Sequence, residues 1–146
     1  MQQPTMIQRI QSLYLLLAGL VLLWMGLAQA PWQLLGPTAH AWIGPVARGL
    51  AVLLAVAAIV LIFRYQQLER QRTLVVLEQI GVLLLALLYV GGMYLDGTLA
   101  VRTEKGILWD RVLWIGQPVL AYLLLWLARR GIERDIALIR SMDRLR

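Results

Sequence analysis

Long apolar runs separated by short polar segments predict four membrane-spanning helices. A spanning helix needs roughly 20 mostly apolar residues. Residues 13–30 carry no charge, and residues 75–95 carry only Glu78. The second run reaches spanning length if its helix begins near Pro45, because proline suits the first turn of a helix. The fourth run contains Pro118, where we expect the helix to kink or begin. The predicted spans are residues 12–30, 46–64, 74–95 and 111–129, followed by a tail of residues 129–146.

This pattern predicts an all-α integral membrane protein, an antiparallel four-transmembrane-helix bundle with an amphipathic cytoplasmic C-terminal helix. The composition agrees, since 60% of the 146 residues are hydrophobic and the mean hydropathy is +0.70. Small residues let helix backbones approach each other in a membrane. The predicted second span carries such a stripe, Ala47, Ala51, Ala55 and Ala58. We expect it to pack inside the bundle; the alternative is that it docks a partner helix.

The basic residues predict the orientation of the chain in a bacterial inner (cytoplasmic) membrane. Lys and Arg in short loops stay on the cytoplasmic side, the positive-inside rule. Four of the 14 basic residues, Arg48, Arg102, Lys105 and Arg111, fall on one side of the predicted spans. The other ten lie at the termini and in the turn between the second and third spans. Both termini are therefore predicted to be cytoplasmic. The first span imitates a signal peptide that ends at Ala30, but Pro31 disfavours cleavage there, so we expect the span to be retained.

The tail after Ala128 has the pattern of an amphipathic helix. Ile132, Ile136, Ile139 and Met142 recur at helical spacing, and charged residues cover much of the other face. One interpretation is that this helix binds anionic lipid on the cytoplasmic side. The other is that it fits a groove on another membrane-protein subunit. Nucleic acid is not expected, because the tail has no stacking aromatic residue. The predicted contact residues are Arg130, Arg134, Ile136, Ile139, Arg140, Asp143 and Arg144, joined by the basic turn residues Arg64, Arg70 and Arg72.

Two segments also resemble a known family. MIQRIQSLYLLLAG, residues 6–19, and RGIERDIALIRSMDRLR, residues 130–146, are similar to the signatures of an uncharacterised family of small four-span membrane proteins of Bacteroidota-type bacteria, domain of unknown function 4293. The resemblance implies a four-helix inner-membrane protein with cytoplasmic ends, and it implies no activity. The family pattern begins at Met6, which makes Met6 an alternative start. The resemblance directs attention to polar residues at both ends, among which an ion pair such as Arg9 with Asp143 is one conceivable contact. These residues are Arg9, Gln11, Arg130, Asp135, Arg140, Ser141, Asp143 and Arg144.

No set of residues predicts catalysis or a bound cofactor or metal. Catalysis needs a base and a nucleophile, or metal ligands, that converge in one place. The single histidine, His40, has no carboxylate nearby in sequence, and the chain has no cysteine. We therefore interpret His40 as a solvated interfacial residue and expect the protein not to be an enzyme.

Glu78 is the intramembrane candidate, because an ionisable residue inside a membrane is a functional candidate by default. The simpler interpretation is that it reaches the membrane interface and pairs with Arg70 or Arg72. Taken together, the sequence favours a non-catalytic accessory or scaffold subunit that docks a partner through its C-terminal helix. The alternative is a small-molecule or lipid-handling protein, transporter-like, centred on Glu78.

Overall fold

Four long helices form a single bundle in the computed structural model, which describes residues 6–36 and 40–146. Each of the four is long and apolar enough to cross a membrane. The predicted all-α class with four spans is therefore confirmed. Residues 1–5, which precede the alternative start at Met6, lie outside the described residues. In chain order the elements are α1 (Met6–Leu27), α2 (Ala30–Gln33), α3 (Ile43–Ile62), α4 (Leu68–Leu95), β1 (Arg102–Thr103), β2 (Gly106–Ile107) and α5 (Trp109–Arg144).

The long helices pack in a ring, in which α1 and α4 each contact both α3 and α5. Small residues set the contact between α1 and α3. A Cβ added at Gly19 would lie 3.3 Å from the carbonyl oxygen of Ala55, and one added at Gly26 would lie 2.7 Å from the Val52 side chain. The alanines of the predicted stripe are all fully buried. The stripe therefore packs inside the bundle, as expected.

The bundle is apolar on its outside as well as in its core. Leu15, Leu85 and Leu125 are fully buried, yet Leu53 and Leu87 are 65% and 70% exposed. Large apolar side chains on the outer surface of a helix bundle are typical of contact with lipid tails, which tolerate them as water does not. The surface thus agrees with a multi-pass membrane protein.

α5 is one continuous helix of 36 residues that includes both Pro118 and Gly131. Proline is tolerated in spanning helices because neighbouring helices satisfy the freed backbone groups, and Pro118 is buried among them. At 1.5 Å per residue α5 is about 54 Å long, well beyond a hydrocarbon core of about 30 Å. Its last part, after Ala128, extends beside the starts of α1 and α4. We call this end of the bundle the basic end.

The opposite end is closed by polar contacts to backbone oxygens. The Tyr89 hydroxyl donates to the carbonyl of Pro31 at 2.9 Å, and its ring meets that of Trp32 edge to face at 5.6 Å. Arg48 donates through Nε to the carbonyl of Gly26 at 2.9 Å, which satisfies one of the free carbonyls at the end of α1. Arg111 donates to the backbone oxygens of two residues before the hairpin, Thr98 and Ala100. The sequence did not predict this hairpin.

Candidate functional site

The last part of α5 is fixed to α1 by a buried hydrogen bond. The Gln11 side-chain nitrogen donates to the carboxylate of Asp135 at 2.8 Å, and the two residues are only 3% and 7% exposed. Gly131 allows this contact, because a Cβ there would lie 2.7 Å from Cγ of Gln11. The expected partner of α1 in the tail was Asp143, but Asp143 is exposed and the acid that contacts α1 is Asp135. Asp135 contacts α1 because it lies on the same buried face of α5 as Ile132 and Ile136.

A second set of polar contacts fixes α5 to α4. Arg129 donates to the side-chain oxygen of Gln79 at 3.2 Å and pairs with Glu133 one helical turn later at 3.6 Å. Glu133 also accepts from Arg72 at 3.2 Å. We call Gln79, Arg129, Glu133 and Arg72 the polar ladder. The i,i+4 spacing of Arg129 and Glu133 in the sequence indicates that these two side chains can pair. The sequence pattern does not indicate which residues of α4 they contact.

Beyond the ladder the predicted contact residues lie mostly at the surface. Arg140 pairs with Glu69 at 2.8 Å with both side chains exposed, and the Arg130 guanidinium lies 5.0 Å from the centre of the Trp126 ring. Ile136 is buried in the core of the chain itself, so it is not offered to a partner in this structure. The remaining predicted contacts are exposed: Arg134, Ile139, Asp143 and Arg144 on α5, Arg64 at the turn and Arg70 in the first turn of α4.

Glu78 lies in a lateral cleft between α3 and α4. The residue is 4% exposed, and neither carboxyl oxygen has a hydrogen-bond partner within the part of the chain that the structure describes. The expected pairing with Arg70 or Arg72 is wrong. Arg72 bonds to Glu133, and Arg70 is exposed. The reason is the helical turn: Glu78 faces α3, whereas the ladder residue Gln79, one position later, faces α5.

A separate cleft of about 310 Å³ lies at the end opposite the basic end, and His40, Arg48 and Asp96 are among its lining residues. His40 is exposed, and although no carboxylate is near it in the sequence, Asp96 borders the same cleft. In residues 6–36 and 40–146, no three His, Asp or Glu side chains group closely enough to hold a metal ion.

These features define a small helical membrane protein with several spans. Polar contacts hold its basic end together, and a cleft opens on one side of the bundle. The chain belongs to the family described as Domain of unknown function (DUF4293), whose model matches residues 42–145. The match covers three of the four long helices and nearly all of the tail, and this confirms the family resemblance. Residues 6–19, the other segment that carried the resemblance, lie outside the matched range. Neither the curated proteins nor the solved structures gave a match to the chain.

Proposed function

We propose that the protein is a non-catalytic accessory or scaffold subunit of a bacterial inner-membrane assembly, with both termini in the cytoplasm. In this proposal the last part of α5 docks a partner subunit. The observation that carries the proposal is the exposure of apolar side chains after α5 leaves the core. Ile136 is 9% exposed, whereas Ile139, Met142 and Leu145 are 46%, 60% and 89% exposed. Exposed apolar residues grouped beyond the spans are typical of an interaction site.

The charges at this end support a partner surface that is apolar and bordered by acids. The acids Glu133 and Asp135 are occupied by Arg72, Arg129 and Gln11. Arg134 and Arg144 are exposed and take no part in the pairs Arg72–Glu133, Arg129–Glu133 and Arg140–Glu69. The surface left for a partner also carries the exposed acid Asp143 but is basic on balance, and complementary charge mainly speeds and orients association.

The experiment is a pull-down of the tagged full chain from native membranes in mild detergent, with bound proteins quantified by mass spectrometry. Ile139→Asp and Met142→Asp place a charge on the exposed apolar face. Ser141→Asp is the matched control, because it adds the same charge about 160° around the helix from Ile139. Ile136→Asp serves only as a folding control, since it breaks the core.

We expect one stoichiometric partner with the unchanged chain and with Ser141→Asp, and its loss with Ile139→Asp and Met142→Asp. Recovery of the unchanged chain alone would overturn the proposal. So would equal retention of the partner by all variants. If the chain is recovered alone but its tail binds vesicles of anionic phospholipid, the tail is a lipid anchor and the docking proposal fails.

A second candidate function, the handling of a lipid or small molecule around Glu78, is favoured by the buried carboxyl group without a partner. Buried polar groups are almost always hydrogen-bonded in proteins. A ligand that donates to Glu78 would supply the missing bond. This candidate predicts that Glu78→Gln changes the cellular phenotype while the tail variants do not, the reverse of the docking proposal.

A further inference from the structure

The cleft that holds Glu78 is open to the lipid-facing side of the bundle. It has a volume of about 300 Å³ and lies between α3 and α4, with Leu53, Ala57 and Val60 on one wall and Leu77 on the other. Leu53 and Leu77 are more than 60% exposed on the outer surface. A ligand therefore has a lateral route from the membrane into this cleft.

Two polar residues, Arg64 and Glu78, line the cleft at different depths. The Gln71 side chain donates to the backbone oxygen of Leu61 at 3.0 Å, which places these residues side by side. Arg64 follows Leu61 toward the basic end. Glu78 lies seven residues beyond Gln71 in the other direction, about 10 Å deeper along the helix. The cleft thus has a cationic mouth and, farther in, a carboxyl group.

The ladder does not satisfy the Glu78 carboxyl group. The nearby ladder cations, Arg72 and Arg129, both pair with Glu133. The opposite wall at the depth of Glu78 is formed by Leu54 and Ala57, which offer no side-chain donor. Within the described residues both carboxyl oxygens lack a partner. A donor that enters the cleft would supply this bond once the side chains that close both carboxyl oxygens off from solvent move aside.

We propose that this cleft binds a single-chain membrane lipid with an anionic headgroup and a hydroxyl group next to it. The chain lies on the apolar walls and the hydroxyl donates to Glu78. The anion meets the end of the Arg64 side chain, which is long enough to reach back into the cleft that both residues line. One chain is inferred because the volume is at the lower end of ligand pockets, about 300–1,000 Å³. An anion is inferred because Arg64 is exposed at the mouth and belongs to none of the ion pairs among the described residues. The proposal rests on the second candidate function and does not depend on docking by the tail.

The test uses palmitoyl lysophosphatidate, which has one chain, a phosphate and one free hydroxyl, and its 2-O-methyl ether, which lacks that donor. Both are titrated against the full chain in detergent by native mass spectrometry. We expect the unchanged chain to bind one lysophosphatidate and to bind the ether about tenfold more weakly, the usual effect of losing one such bond in a buried site. Equal affinity for the two lipids, or no saturable binding of either, would overturn the proposal.

Three variants assign the effect to the cleft. Glu78→Met keeps the size of the side chain but not its oxygens, so it is expected to bind both lipids equally and weakly. Ala57→Leu puts a larger side chain into the cleft and leaves Glu78 in place, and it is expected to lose both lipids. Leu87→Ala, on the exposed face of α4, is the control and should bind as the unchanged chain does.

If Glu78→Met does not give a monodisperse helical protein, the proposal is tested by comparing the two lipids on the unchanged chain and on Ala57→Leu. Retention of both lipids by Ala57→Leu would contradict the proposal. The pull-down with the tail variants tests a different surface. Failure of the lipid site can therefore be distinguished from failure of the docking function.

Discussion

Gln11 and Asp135 lie 124 positions apart in the sequence and are joined by a buried hydrogen bond of 2.8 Å between the first and last helices. This bond holds the start of α1 against α5 at the point where α5 leaves the core. Beyond it, every residue from Ala137 to the end of α5 is exposed, including Ile139 and Met142. The position of the proposed docking surface therefore depends on this contact.

Loss of the Asp135 carboxylate is expected to destabilise the bundle. Asp135→Ala leaves the Gln11 amide buried without its acceptor, which costs about 1–3 kcal/mol. The measurement is the free energy of unfolding in detergent, with helicity as the signal. Asp143→Ala, an acid removed from the exposed end of the same helix, should change it by less than about 0.5 kcal/mol. Equal effects of the two substitutions would show that the buried bond is not what holds α5.

Gly131→Ala is expected to break the same contact from the other side. The new Cβ would lie 2.7 Å from Cγ of Gln11, so the Gln11 side chain must move away from Asp135. Gly91→Ala is the control, because a Cβ there meets nothing within 4 Å, and alanine is the better helix former by about 1 kcal/mol. Thermal unfolding should shift down for Gly131→Ala and stay level or rise for Gly91→Ala. A higher midpoint for Gly131→Ala would show that the close approach of Gln11 to Gly131 does not stabilise the bundle.

Tyr89→Phe tests the opposite end of the bundle. It removes the hydroxyl that donates to the backbone oxygen of Pro31 and is expected to lower the free energy of unfolding by about 1 kcal/mol. Tyr94→Phe removes a hydroxyl from a side chain that is 71% exposed and should have almost no effect. If the two variants unfold alike, the bond to Pro31 contributes nothing measurable.

The orientation can be measured with single cysteines, because the natural chain contains none. Ser141→Cys lies at the basic end and Lys105→Cys in the hairpin at the opposite end. If both termini are cytoplasmic, a membrane-impermeant maleimide should label Lys105→Cys in intact cells stripped of their outer membrane, and Ser141→Cys only after permeabilisation. The reverse pattern would invert the topology and remove the cytoplasmic docking site.

The sequence predicted the spans because apolar length and charge are local properties. The alanine stripe was also local, and its burial followed from helical spacing. The partner of Gln11 and the surroundings of Glu78 were not predictable in the same way. Each depends on which face of one helix meets which neighbour, and one residue along a helix turns a side chain by about 100°. Glu78 and Gln79 illustrate this: Glu78 lines the cleft beside α3, whereas Gln79, the next residue, belongs to the polar ladder beside α5.

The most direct test of the docking account is photocrosslinking from the tail in living cells. A photoreactive amino acid replaces Met142, and a second chain carries it at Leu87 as the lipid-facing control. If the tail docks a partner, position 142 should give one discrete crosslinked protein, which is absent from position 87 and is lost when Ile139→Asp is added. Crosslinks from position 142 to lipid alone, or a protein crosslink that Ile139→Asp does not change, would contradict docking by the tail.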